Sequence, residues 1–297
     1  MRTEDINPRY VDLDSWSTAE MIAAMHEEQL AAATAVRGAL GAITAAVEDA
    51  VPALKRGGRI VYAGAGTSGR IGVQDGSELP PTFDWPVDRV VFAMAGGLDA
   101  LTRSSEGAED SAEAGEQAMA DVKVSANDVV IGIAASGTTP FTIGVLRAAK
   151  AAGAVTIAVA SNPGAPLFEV ARHRILVETG SEVIAGSTRM KAGTAHKIVL
   201  NLISTAMMVK LGRVYCGLMV DMRARNAKLR RRAATIVGKI VGCAESEATR
   251  HLDAAGGDLK TAVLIGFGLP RGKAEQLLER HAGSLRAAIN ASKASNG

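Results

Sequence analysis

Apolar residues recur at two different spacings along this chain, and the change between them predicts where the structural elements lie. From residue 17 to about residue 54 the spacing is helical, and Ser17 and Glu20 have capping-box spacing, so a long helix or a helix pair should open the fold. From residue 59 to about residue 177, apolar runs of strand length alternate with helical segments. The predicted strands cover residues 60–63, 89–93, 129–134, 155–160 and 175–177.

The alternation of strands and helices predicts the fold class. Parallel strands that are buried on both faces have continuous apolar runs, and the helical segments between them supply the crossovers. We therefore predict an α/β fold with a doubly wound parallel sheet, and we expect residues 188 to about 241 to be helical. The predicted domains are an N-terminal helical arm at residues 1–55, the α/β domain at 56–241 and a small C-terminal helical bundle at 242–297.

The overall charge gives no reason to expect nucleic acid as a partner. The formal net charge is +2, with 22% charged residues, so any affinity for anions must be local. The basic run at residues 228–232 has no interleaved aromatic residues, which favours a solvated helix face over a nucleic-acid site. A membrane span is not predicted either, because Arg37 and Glu48 interrupt the longest alanine-rich stretch.

The cysteines and histidines indicate a cytoplasmic protein without a metal site. Cys216 and Cys243 lack metal-ligand spacing, no two of the five histidines have it, and the first residues contain no apolar targeting core. His196 follows a segment rich in glycine and hydroxyl groups, but a position on a helix face is favoured over ligand contact.

Three segments combine hydroxyl groups with glycines beside a predicted helix. They are Gly-Ala-Gly-Thr-Ser-Gly-Arg at residues 64–70, Ser-Gly-Thr-Thr at 136–139 and Gly-Ser-Thr-Arg-Met-Lys-Ala-Gly at 186–193. Loops at the carboxyl ends of parallel strands gather in one crevice, where helix N-termini bind anions. We therefore predict one cradle for a phosphate or a carboxylate. The predicted binding residues are Thr67, Ser68, Gly69, Ser136, Gly137, Thr138, Ser187, Thr188 and Lys191.

The third of these segments lies directly ahead of an apolar helical pattern. Ser187 and Thr188 are predicted to cap a helix whose first amides are unpaired, and Lys191 adds a positive charge. Gly186 and Gly193 would allow the backbone to approach a ligand closely.

The first segment also matches the fingerprint of a dinucleotide-binding fold. Such a site needs an acidic residue at the end of the second strand, where it binds the ribose hydroxyls. The corresponding strand here ends in Ala95-Gly96-Gly97, so a dinucleotide is not the predicted ligand.

The three segments resemble a known family, together with Asp-Gly-Ser-Glu-Leu-Pro-Pro-Thr-Phe at residues 75–83 and Glu-Gly-Ala-Glu-Asp at 106–110. The chain is similar to the sugar isomerase fold in its N-acetylmuramic acid 6-phosphate etherase branch, and the similarity extends over nearly the whole length. The same motifs resemble glucokinase regulatory protein, a relative that binds sugar phosphates without catalysing a reaction.

The etherase resemblance implies a lyase with two catalytic carboxylates. Members of this family remove the lactyl ether as D-lactate and leave N-acetylglucosamine 6-phosphate, in the recycling of cell-wall amino sugars. Their catalytic glutamates correspond to Glu78 and Glu109, while Glu106 is assigned to structure or sugar contact. The implied ligand is a small sugar phosphate, no metal or redox cofactor is implied, and relatives are typically homodimers. Neither nucleic acid nor a membrane is an expected partner.

Both glutamates are expected beside loops or turns near strand ends. Glu78 precedes Pro80 and Pro81 and lies near Leu79 and Phe83 in the sequence. Apolar surroundings of this kind disfavour the ionised form of a carboxyl group, which suits a proton donor.

Two other functions remain open from the sequence. A non-catalytic regulator that binds sugar phosphates would keep the cradle without the chemistry. An aldose–ketose phosphate isomerase would keep the cradle and the base, but it would need no acid directed at carbon 3. Release of free lactate from the muramic acid phosphate distinguishes all three functions.

Overall fold

The chain folds into two compact units. The computed structural model describes residues 2–103, 107–222 and 227–294. The first unit comprises Met1–Ser77 and Val87–Thr205, and the second comprises Glu78–Pro86 and Ala206–Gly297. The predicted helical arm at residues 1–55 therefore belongs to the same unit as the predicted sheet.

The first unit contains the α/β sheet and its helices. In chain order its elements are α1 at Thr18–Ala35, α2 at Leu40–Lys55, β1 at Ile60–Gly64, α3 at Gly66–Phe83, β2 at Val90–Met94, α4 at Ala112–Asp121, β3 at Val129–Ile133, α5 at Pro140–Ala151, β4 at Val155–Ala160, β5 at His173–Leu176 and α6 at Lys191–Lys210. The last residues of α3 and α6 belong to the second unit.

The five strands of the first unit form one parallel sheet in the order β2-β1-β3-β4-β5. Successive side chains of a strand point to opposite faces of the sheet. Val61 and Val130 pack with Val145 of α5 on one face. On the other face α3 approaches so closely that a Cβ added to Gly72 would lie 3.3 Å from Tyr62 Cβ. Helices therefore cover both faces, which confirms the predicted doubly wound fold.

All five predicted strands are present with small differences at their ends. β4 has the predicted bounds, whereas β5 covers residues 173–176 instead of 175–177. The central strands carry apolar residues on both faces, and Ile131 and Ile157 are fully buried. Continuous apolar runs of strand length were therefore sufficient to predict these buried strands.

The predicted capping box at the start of α1 is confirmed. Ser17 Oγ accepts a hydrogen bond from the Glu20 amide at 3.3 Å, and the Glu20 carboxylate accepts one from the Ser17 amide at 2.9 Å. The helical stretch Thr18–Lys55 is long and apolar enough to cross a membrane by length and composition alone. A core helix passes the same test, and α2 buries seven of its residues and contacts β3, β4 and β5.

The second unit contains a β-hairpin that the sequence pattern did not predict. β6 at Val214–Tyr215 pairs with β7 at Leu218–Met219 in the antiparallel direction. Cys216 and Gly217 have φ angles of 50° and 73°, and positive φ at both central residues defines a type I′ turn. The expectation of helix throughout residues 188–241 is therefore wrong at this hairpin, where a cysteine takes a place usually held by asparagine or aspartate.

The described helices of the second unit share one apolar core. The helices of this unit are α7 at Ala227–Val241, α8 at Glu245–Ala254, α9 at Leu259–Gly266, α10 at Arg271–Arg280 and α11 at Leu285–Ala294. Val237 of α7 belongs to the same buried cluster as Leu252 of α8, Leu277 of α10 and Ile289 of α11. This core crosses the predicted boundary at residue 241, because the apolar face of α7 packs within it. The cationic side chains of residues 228–232 are exposed, as predicted for a solvated face.

Candidate functional site

A cavity of about 310 Å³ lies in the first unit, at the carboxyl ends of β1 and β3. Its lining comes from the loop after β1, the turn ahead of α4, the loop after β3, and two segments that approach from elsewhere in the chain. The structure thus brings residues of all three predicted segments to one place. The polar residues lining the cavity are Glu4, Thr67, Ser68, Glu109, Asp110, Ser136, Thr138, Thr139 and Thr188.

The loop after β1 needs its glycines for close packing between strand and helix. A Cβ added to Gly69 would lie 2.8 Å from the Gly64 carbonyl oxygen, so any larger side chain would push α3 away from β1. Gly66 begins α3 with a φ of 50°, in the left-handed region. Thr67 and Ser68 follow in the first turn of α3 and line the cavity. Gly69 therefore positions the predicted ligand-binding loop and does not itself line the cavity.

The loop after β3 presents two hydroxyl groups side by side. Thr138 donates to Ser136 Oγ from its amide at 3.2 Å and from its hydroxyl at 2.9 Å. Gly137 lies between them with a φ of 73°, and a Cβ there would lie 2.3 Å from Ala165 Cβ. At the start of α5 the side chain of Thr139 makes no capping hydrogen bond. Ser136, Thr138 and Thr139 of this loop line the cavity.

The segment ahead of α6 differs from the prediction. α6 begins at Lys191, and its first two amides, on Lys191 and Ala192, both donate to the Glu182 carboxylate at 2.9 Å. Glu182 is fully buried, and burial raises its pKa against the opposing effect of the two amide hydrogen bonds. Ser187 and Thr188 therefore do not cap this helix. An acceptor from the protein already occupies its N-terminus, and of the two hydroxyl residues only Thr188 lines the cavity.

Lys191 is an interior ion-pair partner. Its ammonium group pairs with the Glu28 carboxylate, and the lysine is only 5% exposed. Tyr10 also donates to Glu28, at 2.7 Å. Burial opposes ionisation of Glu28, but the hydrogen bonds from Lys191 and Tyr10 outweigh it and lower the pKa of this glutamate. Lys191 thus joins α1 to α6, and it is not among the described residues that line the cavity.

Glu109, one of the two glutamates expected to be catalytic, lies at the cavity. It belongs to the turn ahead of α4, its side chain is exposed, and its carbonyl oxygen accepts a hydrogen bond from the Phe141 amide of α5 at 3.0 Å. This backbone contact fixes the turn against the loop after β3. Glu106, assigned to structure or sugar contact, lies outside the described residues.

Glu78 lies within α3 instead of beside a strand end. The helix continues unbroken to Phe83, with Pro80 and Pro81 near its end. Leu79 is only 2% exposed, whereas Glu78 is exposed, because consecutive side chains of a helix point in different directions. Glu78 therefore lacks the apolar surroundings that its neighbours in sequence predicted. It belongs to the second compact unit.

Asp75, the first residue of the motif that contains Glu78, holds elements of the first unit together. It is 2% exposed and accepts hydrogen bonds from Tyr62 Oη at 2.8 Å and Asn201 Nδ2 at 2.6 Å. Burial and the adjacent Asp75 raise the pKa of Tyr62 well above its ordinary value. Asp75 thus joins β1, α3 and α6 in the core.

His196 makes an interior contact. It is 1% exposed, its Nε2 atom lies 3.1 Å from Ser161 Oγ, and burial lowers its pKa to about 4. The imidazole is therefore neutral at pH 7. His196 is not among the described residues that line the cavity.

The polar lining is unusual in its charge. Glu4, Glu109 and Asp110 contribute three carboxylates, and no lysine or arginine is found among the described lining residues. In residues 2–103, 107–222 and 227–294 no group of three or more His, Cys, Asp or Glu side chains could hold a metal ion. Glu4 and Glu182 are not predicted from the sequence, since neither lies in a pattern that distinguishes it from a solvated carboxylate.

The fold and the site together define a class of protein. A doubly wound parallel sheet with hydroxyl-lined loops around one cavity is the architecture of a SIS domain. The SIS domain family matches residues 100–206, and the family described as glucokinase regulatory protein N-terminal SIS domain matches residues 42–150. A solved phosphoheptose isomerase from Francisella tularensis shares the fold, with a TM-score of 0.51 and 18% identity, covering 65% of this chain and 100% of its own.

Full-length relatives identify the family within this class. An N-acetylmuramic acid 6-phosphate etherase from Deinococcus radiodurans is 48% identical over 294 residues, covering 99% of this chain and 96% of its own. Another, from Halalkalibacterium halodurans, is 45% identical over 291 residues and covers 98% of each chain. The chain belongs to the N-acetylmuramic acid 6-phosphate etherase family.

Proposed function

We propose that this protein is an N-acetylmuramic acid 6-phosphate etherase, a lyase that releases D-lactate and leaves N-acetylglucosamine 6-phosphate in the recycling of cell-wall amino sugars. The observation that carries the proposal is that Glu109 and hydroxyl groups from three separated segments line one cavity. A carboxylate beside a set of phosphate-binding hydroxyl groups suits a reaction that removes a carbon-bound proton from a sugar phosphate.

The substrate phosphate binds to the hydroxyl side of the cavity. Thr67, Ser68, Ser136, Thr138 and Thr188 line it, and the first turns of α3 and α5 contribute backbone amides and the positive ends of their helix dipoles. Among the other predicted binding residues, Gly69 and Gly137 shape these loops. Ser187 and Lys191 support the segment that carries Thr188.

Glu109 acts as the base. The substrate ring opens first, so that an aldehyde at carbon 1 makes the proton on carbon 2 more acidic. The Glu109 carboxylate takes that proton, and the electron pair forms a double bond between carbons 2 and 3 as the bond from carbon 3 to the lactyl oxygen breaks.

Glu78 acts as the acid, a role that rests on the resemblance of its motif to the family. It donates a proton to the departing lactyl oxygen, and D-lactate leaves. Water then adds across the double bond, with hydroxide at carbon 3 and a proton at carbon 2, which gives N-acetylglucosamine 6-phosphate. These reaction steps require one ionised and one protonated carboxyl group, and they involve no change of oxidation state, so no redox cofactor takes part. The two carboxyl groups supply the acid and the base, and we propose no role for a metal.

A non-catalytic sugar-phosphate regulator is the second candidate function. The match of residues 42–150 to the SIS domain of glucokinase regulatory protein favours it. Such a protein would use the same cradle without Glu109 as a base. An aldose–ketose isomerase, the remaining alternative, would use Glu109 without releasing lactate.

Free lactate distinguishes these functions. We expect the purified protein to release D-lactate from N-acetylmuramic acid 6-phosphate, and we expect Glu78→Gln to abolish release while carbon 2 still exchanges its proton with solvent. Binding of the sugar phosphate without release of lactate would support the regulator. Conversion of an aldose phosphate to a ketose phosphate would support the isomerase.

The protein is proposed to act as a cytoplasmic homodimer on a small sugar phosphate, without nucleic acid or membrane partners. In the first unit, Ile22, Leu30 and Leu40 are 62%, 58% and 47% exposed, which is a large apolar exposure for one helical arm. A second copy of the chain would cover these residues. Sedimentation of the protein at a molecular mass of about one chain would contradict the homodimer.

A further inference from the structure

We infer that Glu4 is a substrate-contacting residue, whose carboxylate accepts hydrogen bonds from sugar hydroxyl groups next to the phosphate cradle. The inference rests on the proposed function, because it takes a sugar phosphate as the ligand of the cavity. Neither the family motifs nor the chemistry of lactate elimination assigns a role to this residue.

The residue before Glu4 is anchored through all of its polar groups. Thr3 is fully buried, its amide donates to Asn162 Oδ1 at 3.1 Å, and its carbonyl oxygen accepts from the Gly186 amide at 3.1 Å. Its hydroxyl accepts from Asn162 Nδ2 at 3.0 Å and donates to Glu4 Oε1 at 3.3 Å. Thr3 thus fixes both the backbone and the carboxylate of Glu4.

The anchoring residues also belong to the loops of the cradle. Asn162 Nδ2 lies 3.5 Å from the carbonyl oxygen of Ser136, whose side chain lines the cavity. Gly186 lies two residues before Thr188, which lines it as well. A Cβ added to Gly186 would lie 2.6 Å from Glu4 Oε2. A glycine at this position therefore leaves room for the Glu4 carboxylate at the wall of the cavity.

The chemistry of a carboxylate decides which part of the ligand Glu4 contacts. An ionised carboxylate only accepts hydrogen bonds, so it cannot bind a phosphate dianion, whose oxygens are also acceptors. Hydroxyl groups of a sugar are donors, and two neighbouring ones can bind both carboxylate oxygens. Glu4 therefore repels the phosphate from its side of the cavity and binds the sugar hydroxyls there, which fixes the orientation of the substrate.

This arrangement predicts opposite effects on two ligands. Without the Glu4 charge, inorganic phosphate loses a repulsive neighbour and gains or keeps its affinity. A sugar phosphate loses hydrogen bonds to a charged acceptor, and we expect about tenfold weaker binding. A residue with only a structural role would change both affinities together.

The test measures the dissociation constants of inorganic phosphate and of N-acetylglucosamine 6-phosphate by calorimetry for the full-length wild type, Glu4→Gln and Glu4→Ala. Asp5→Asn is the matched control, because Asp5 is exposed, accepts from the Arg2 amide at 2.7 Å and is not among the lining residues. We expect both Glu4 variants to bind the sugar phosphate about tenfold more weakly, with phosphate binding equal or tighter. Asp5→Asn should match the wild type with both ligands.

Three results would overturn the inference: unchanged affinities in both Glu4 variants, an equal loss for both ligands, or a wild type that binds neither ligand. The last result would also remove the proposed cradle. The Glu4 variants could show the expected opposite effects on the two ligands while the wild type releases no lactate. That result would contradict the proposed activity and would support the role of Glu4.

Discussion

The loop after β3 and the segment ahead of α6 have similar residues and different roles. Each places a serine and a threonine next to a glycine with a φ of 73°, and each precedes a helix. After β3, Ser136 and Thr138 line the cavity, and the cap residue of α5 makes no side-chain hydrogen bond to that helix. Ahead of α6, the Glu182 carboxylate binds the first two amides from within the protein.

The difference shows that a hydroxyl-rich sequence before a helix does not determine which group accepts hydrogen bonds from the first amides of that helix. The amides at a helix N-terminus need an acceptor, which can be a ligand or a carboxylate of the same chain. Because Glu182 is that acceptor for α6, an anion has no free amides to bind there. We therefore propose one cradle in which the starts of α3 and α5 bind the ligand, while the segment ahead of α6 contributes Thr188 and otherwise supports the wall.

The largest effect on activity is expected from substitution of Glu109, whose backbone is hydrogen-bonded to the start of α5. Glu109→Gln should lower the rate of lactate release by about a thousandfold, because the substituted side chain cannot take the proton from carbon 2. Asp110→Asn is the matched control, since Asp110 is the adjacent carboxylate of the same cavity, and it should keep most of the activity. Equal losses in the two variants would mean that only the charge of the cavity matters.

Loss of the Glu182 carboxylate should destabilise the protein. Glu182→Ala leaves two buried amides at the start of α6 without an acceptor, so we expect the free energy of unfolding to fall by about 3 kcal/mol in urea denaturation. Glu178→Ala, which removes an exposed carboxylate four residues earlier, should change it by less than about 0.5 kcal/mol. Similar stability in both variants would contradict the assignment of Glu182 as the internal cap.

The burial of His196 on α6 should make the free energy of unfolding depend on pH. The unfolded chain protonates this histidine near pH 6.5, whereas in the folded protein its pKa is about 4. The lowered pKa contributes stability that is present above pH 6.5 and is lost as the pH falls toward about 4, by up to about 3 kcal/mol. His196→Gln should show a smaller loss in this window, and an unchanged pH profile would contradict the prediction.

The smallest effect is expected on ligand affinity, in a direct comparison of the loop after β3 with the segment ahead of α6. Ser136→Ala should weaken the binding of N-acetylglucosamine 6-phosphate about tenfold, because it removes a hydroxyl group from the lining of the cavity. Ser187→Ala should change the affinity by less than about twofold, although the sequence predicts the same role for both serines. A larger loss for Ser187 than for Ser136 would reverse our assignment of the two segments.

The sheet and the loop after β3 were predictable from the sequence, because local pattern decides both. Apolar runs give buried strands, and glycines between hydroxyl residues after a strand give a polar loop at its carboxyl end. The hairpin at β6 and β7 was not predictable in this way. Its strands have two residues each, and its turn contains a cysteine with positive φ.

The partners of the third segment depend on tertiary contacts that no local pattern contains. Lys191 lies at the start of a helix and follows hydroxyl residues, which suggests that it binds a ligand. In the structure it forms an ion pair with Glu28, which is 163 residues away in the sequence. Thr3 reaches Asn162 across 159 residues. Side chains that meet in this way determine which polar groups remain free for a ligand.

The reaction proposed for this cavity is the elimination of lactate from a sugar phosphate, with Glu109 as the base. The most direct measurement incubates the wild-type protein with N-acetylmuramic acid 6-phosphate in heavy water and analyses both products by mass spectrometry. We expect free D-lactate and N-acetylglucosamine 6-phosphate that carries deuterium at carbon 2, because the proton removed by Glu109 is replaced from solvent. Absence of lactate, or a sugar product without deuterium at carbon 2, would rule out this reaction.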